Sequence, residues 1–230
     1  MREVVESEAF ILALTVLCYY IGLKINDKVR RPFTNPLLIS FVLIIPALTL
    51  LDIDYETYER GSHLISFLLG PTVVALGYVL HKQIRYIKGN VIAILSTIIV
   101  GSVVGVMSVV GVCKLFGTQD DIIISMEPKS VTMPIALGLS ERSHGILAMT
   151  AIVVFVCGIF GSVVGPWLLK KLKIKSPVAR GLAMGAAAHG IGTSRALQMG
   201  QIEGAVAGMA MGLMGVMTAI AMPLLEQLWR

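Results

Sequence analysis

Charge is what this chain has least of. Asp, Glu, Lys and Arg make up 14% of its 230 residues, against about 25% in soluble domains. That shortage argues against a soluble catalyst or regulator. The net charge of +5 reads as Lys and Arg gathered on one side of a bilayer, not as a nucleic-acid footprint. Cysteine is scarce too. Cys18, Cys113 and Cys157 lie in or at the end of apolar runs without CxxC spacing, and read as small packing residues. His63, His81, His144 and His189 show no ligand spacing, so no metal and no cofactor is expected. No Ser-His-Asp set or paired carboxylates stand out, so no enzyme is expected. The start, Met1 to Glu8, is acidic on balance and lacks the basic start and cleavage site of a signal peptide. The first apolar run is expected to be retained. No linker divides the chain, which reads as one transmembrane domain over 1–230.

Apolar surface is what the chain has in abundance. Hydrophobic residues make up 56%, and the mean hydropathy is +0.83. They recur in runs of about 16–24 residues, enough to cross a hydrocarbon core of about 30 Å. The expected fold is an all-α polytopic membrane protein of about seven transmembrane helices. Candidate spans are 8–23, 35–51, 61–80, 90–113, 146–169, 180–200 and 203–226. Basic loops follow the first, third and fifth spans: Lys24 to Arg31, His81 to Lys88, and Lys170 to Arg180. Acidic Asp52, Asp54, Glu56, Glu59, Asp120 and Asp121 fill the loops between them. The positive-inside rule then places the N-terminus outside the cell membrane and the C-terminus in the cytoplasm. Residues 127–143 must enter and leave on the outer side, as a re-entrant hairpin or broken helix pair. Pro128 and Pro134 supply the breaks.

At an offset of 120 residues, Pro46 matches Pro166, Arg60-Gly61 matches Arg180-Gly181, and Gly70 matches Gly190. This suggests inverted pseudo-repeats over about 8–113 and 127–228, a transporter-like layout with broken helices. Two polar stretches then stand out: Glu127 to Pro134, and His189 to Arg195. Each joins helix-breaking residues, hydroxyls and a cation. A cation at bilayer depth costs roughly 2.5–3.5 kcal/mol on insertion scales, so a functional role is expected for Lys129 and Arg195. Ser130, Thr132, Thr193 and Ser194 would bind oxygens of a solute, with Asn35 completing the site. Gly190 and Gly192, paired with Gly70, Pro71 and Thr72, would expose backbone N–H groups that attract anions. His189 would carry a coupled proton. The glycines of the last two spans, Gly181 and Gly185 among them, are expected to allow close helix packing.

Four segments resemble the LrgB/CidB family of bacterial membrane proteins: Asn35 to Ile39, Leu69 to Leu76, Pro128 to Ala136, and His189 to Ala196. The likeness covers the chain from about residue 30 onward. Met133 and Ser194 depart from the family pattern, where Thr and Ala are expected. The resemblance implies two functions. Some members are described as holin-like or antiholin-like proteins that modulate murein hydrolase activity and lysis, beside a small LrgA/CidA-type membrane partner. Others are similar to carriers of small monocarboxylates such as glycolate, glycerate, pyruvate or lactate. The buried cations favour the carrier, working on a small organic anion with a coupled proton or sodium ion; the holin-like role is the alternative. A homo-oligomer fits either reading, and no nucleic acid fits.

Overall fold

A computed structural model describes residues 2–29, 34–68, 71, 74, 75, 78 and 91–230. Among them the regular structure is helical throughout. Among the described residues four helices are long and apolar enough to cross a membrane, and a bent pair brings that number to five at most. The chain forms two compact units, residues 1–72 and 73–230. The division falls inside the stretch 8–113 expected as the first pseudo-repeat.

The first unit holds α1 (Arg2–Val5), α2 (Glu8–Val29), α3 (Pro36–Leu50), α4 (Tyr55–Gly61) and α5 (His63–Phe67). Pro36 opens α3, and the Asn35 side chain accepts from the Leu37 N–H at 2.9 Å. Proline at the first turn and asparagine at the cap fit a helix start. Asp54 caps α4 by accepting from the Thr57 N–H at 2.6 Å. Between α3 and α4 the chain bends by 119°. That turn brings α4 back on α2, where Gly61 abuts Ile11 and the Thr15 and Tyr58 hydroxyls lie 3.1 Å apart.

The second unit holds α6 (Val91–Leu115), α7 (Asp120–Met126), α8 (Met133–Arg142), α9 (Leu147–Lys171), α10 (Pro177–Met199) and α11 (Gln201–Trp229). Each crossing helix turns an apolar stripe outward: Ile92, Val100 and Val104 on α6, Ile152, Val156 and Phe160 on α9, Val216, Ile220 and Leu224 on α11. Stripes at helical spacing on the outside suit lipid. The inward faces carry small residues and methionine. Ile94, Ile98, Leu182, Val206, Met209 and Met214 pack together at one end. Val106, Val110, Cys113 and Ile123 pack with Leu225 and Trp229 at the other. These clusters, and a Ser102–Thr218 hydroxyl pair 3.1 Å apart, show that α6 and α11 run parallel.

α10 is not a straight helix. Ala188 (φ −130°, ψ 19°) and His189 (φ 40°, ψ −131°) leave helical geometry. Before this break, Gly181 and Gly185 abut Glu203 and Ala207 of α11, so the first arm runs parallel to α11. Beyond it, Gly190 neighbours Met211 and Leu197 abuts Gly204, so the second arm runs antiparallel. Gly192 packs on Met184, closing the two arms against each other. Thus 177–199 is a hairpin that enters and leaves at the Lys171 end. The expected sixth span, 180–200, is corrected accordingly. Its length suited a crossing, but the reversal at Ala188–His189 halves its reach.

A second hairpin enters from the opposite end. α7 leaves that end after Leu115, the chain turns at residues 127–132, and α8 returns to Ser143, whose carbonyl accepts from Arg230 at 3.0 Å. Ile146 N donates to Ser125 Oγ at 2.6 Å, and Thr150 Oγ1 bonds Ser140 Oγ at 2.7 Å, fixing the hairpin to the start of α9. The sequence reading expected a re-entrant or broken pair at 127–143; the helix pair here begins earlier, at Asp120, and 127–132 is its turn. Because α10 doubles back, α11 starts at the Lys171 end and finishes beside Lys114, Glu127 and Ser143. Trp229 and the Lys170–Lys175 loop therefore lie at opposite ends of the unit. They cannot both be cytoplasmic, as the sequence reading had them. Of the matches at an offset of 120, Gly70 lies outside the described residues, as do Thr72 and part of the third expected span.

Candidate functional site

Lys129 reaches into the second unit from a hairpin turn. It stands in the turn of the first hairpin, half-buried. Its Nζ donates to the Gly105 carbonyl, well inside α6, at 2.8 Å. An ammonium has three N–H groups, so this bond leaves two for another acceptor. Ser130 lies beside Gly105. The next residues are packed: Val131 is fully buried against Ala136 and Val154. Thr132 opens α8 as its N-cap residue, and its buried hydroxyl has no hydrogen-bond partner.

His189 forms the turn of the second hairpin. Its Nε2 lies 2.9 Å from the Val154 carbonyl of α9, and the ring is buried. Gly158 makes room for it; a Cβ there would meet the imidazole. The side chain pins the hairpin turn to α9. Val154 is also the residue on which Val131 and Ala136 of the first hairpin pack. The two turns, entering from opposite ends, therefore meet on the middle of one helix.

A cavity of about 290 Å³ lies at this meeting point, lined by Lys129, Ser130, Cys157, Gly161, Met184 and Ala188 among others. Apart from the ammonium and the hydroxyl its wall is nearly all apolar. The expected single cavity joined Lys129 and Ser130 to Thr193, Ser194 and Arg195. The structure brings the first pair to the first arm of α10, and the second arm does not line the cavity. Thr193 Oγ1 donates to the His189 carbonyl at 2.8 Å, Ser194 is exposed, and Arg195 Nη1 donates to Gln198 at 2.7 Å. Buried Arg195 Nε has no partner. Gly190 is exposed and Gly192 is closed in by Met184 and Ala188. Asn35 serves as the cap of α3 in the first unit, and Pro71 is exposed there. Sequence reasoning passed over Gly105, Gly158 and Gly161. Their role depends on which helix faces which, and spacing along the chain does not carry that.

These features define a class: a helical multi-pass membrane protein with two hairpins inserted from opposite ends around a half-buried lysine. The chain belongs to the LrgB-like family, which matches residues 15–228. Its relatives include YxaC of Bacillus subtilis (strain 168), 36% identical over 219 residues, covering 95% of each chain. The holin-like protein CidB of Staphylococcus aureus (strain N315) is 34% identical over 225 residues, covering 98% of each. The holin-like protein CidB of Staphylococcus epidermidis (strain ATCC 12228 / FDA PCI 1200) is 33% identical over the same share. No solved structure matches the chain.

Proposed function

We propose that this chain is a holin-like protein of the CidB type, modulating murein hydrolase activity and lysis with a small LrgA/CidA-type membrane partner. The observation that carries this reading is the similarity to CidB proteins along nearly the whole of both chains. In this orientation the Lys170–Lys175 loop faces the cytoplasm, and the Trp229 end faces outward. The chain acts without a catalytic step of its own. The test is controlled expression in a bacterial host, with and without such a partner, reading autolysis rate and murein hydrolase zymograms. Unchanged lysis in both arms sinks the reading.

One observation favours a second reading, a carrier of small monocarboxylates. Opposed broken helices are how inverted-repeat transporters build a solute site, and the hairpin turns at Lys129 and His189 both reach α9 from opposite ends. Lys129 would pair with the carboxylate and Ser130 with a neighbouring oxygen, while His189 and Arg195 hold the second hairpin's shape. Proteoliposomes holding only this chain should take up labelled glycolate, lactate or pyruvate, and Lys129→Ala should abolish it. Absence of uptake for all three rejects the carrier and leaves the lysis reading standing.

A further inference from the structure

Two carboxyl groups lie buried where the first hairpin meets the end of α11. Glu127 is 1% exposed and Glu226 7%. Glu127 Oε1 accepts from Trp229 Nε1 at 2.9 Å. Glu226 Oε2 lies 3.7 Å from Arg230 Nη2. The remaining oxygens, Glu127 Oε2 and Glu226 Oε1, are buried without a donor. Glu226 lies three positions before Trp229 on α11, so the two carboxyls share the corner at that indole. Two buried carboxyl oxygens in one corner with no donor are an unstable arrangement. If both groups were ionised they would repel in a medium that screens poorly. A single hydrogen placed between them converts repulsion into a short, charge-assisted O–H···O⁻ bond.

We propose that Glu127 and Glu226 bind one proton between them, and that this proton latches the end of α11 onto the first hairpin. The other charged groups facing the pair are few. Arg230 approaches from α11. Lys114 of α6 stacks on the Trp229 ring at 4.7 Å and bonds its carbonyl. The α8 side offers the Ser143 carbonyl, which accepts from Arg230; Glu141 and Arg142 there are exposed. Arg230 therefore lies against Glu226, while the Trp229 indole holds Glu127. A metal ion fits poorly. Magnesium or calcium takes about six or more oxygens, whereas two of the four here are engaged, and no group of three His, Cys, Asp or Glu gathers among the described residues. Release sends the proton to solvent and leaves two like charges side by side. Glu127 is then driven from Glu226, and the Trp229 indole loses its acceptor.

The chain has two tryptophans, so replacing exposed Trp167 by Phe leaves Trp229 as the reporter. In that protein, purified whole, Trp229 emission should move to longer wavelength as pH rises, reversibly. Glu127→Gln and Glu226→Gln should each abolish the shift, since an amide donates the missing hydrogen without titrating. No shift in the parent, or an undiminished shift in both variants, overturns the proposal. If neither variant can be purified, infrared spectroscopy of the wild-type chain decides. The carbonyl band of a buried protonated acid is expected and should vanish as pH rises, and its absence overturns the latch.

Discussion

At Gly185 a hydrogen in place of a methyl lets two backbones touch. A Cβ there would run into the Ala207 carbonyl, which belongs to the backbone of α11 and cannot swing aside. Gly185→Ala should force α10 and α11 apart and lower the melting temperature of detergent-purified protein, at a cost of about 1–3 kcal/mol typical of overpacking. Gly111→Ala is the control, because its Cβ would enter open space; it should leave the melting temperature unchanged. The Gly181-xxx-Gly185 spacing was legible in the sequence as a close-packing signal, and the structure supplies its partner, α11. Lys129 and Ser130 were legible for another reason: a cation and a hydroxyl beside two prolines have no place on a lipid-facing helix. Arg195 carried the same signal, yet it bonds Gln198 three positions on. Composition marks a residue as unusual. It does not say towards which neighbour the side chain turns.

At the scale of elements, the two hairpins differ in how openly the sequence announces them. Pro128 and Pro134 bracket the first, and the stretch between is too short to cross. The second has a crossing helix's length and no proline between Val178 and Met199. Its reversal rests on the positive φ of His189 and on glycines that let the arms close, so hydropathy alone presents it as a span. Single cysteines in a background free of Cys18, Cys113 and Cys157 separate the alternatives. Positions 173 and 201 should react with a membrane-impermeant reagent from the same side, and position 142 from the other. Reaction at 173 and 201 from opposite sides would restore a straight crossing and remove the hairpin.

At the scale of the molecule, the all-helical, multi-pass character was readable because the solvent dictates it: in lipid every backbone group must be satisfied within the segment. The end at which the last helix finishes was not, because one missed reversal flips the chain's final crossing. α11 is central to the second unit. It pairs with α6 through Thr218, receives Ile135 of the first hairpin beside Gly215, and carries the Ala207 backbone against which α10 closes. It is also the last of these elements to leave the ribosome. The arms of α10, and α7 and α8 with them, fall short of the roughly 20 residues that a helix needs to enter a bilayer by itself. Assembly of this unit therefore cannot keep pace with synthesis. The earlier helices must wait in the membrane, with their inward faces unfilled, until the final segment arrives and gives both hairpins something to close upon. A chain stopped after Gly200 should be inserted yet short-lived, measurable as rapid loss from membranes after a pulse label. Co-expression of residues 201–230 as a separate helix should lengthen its life.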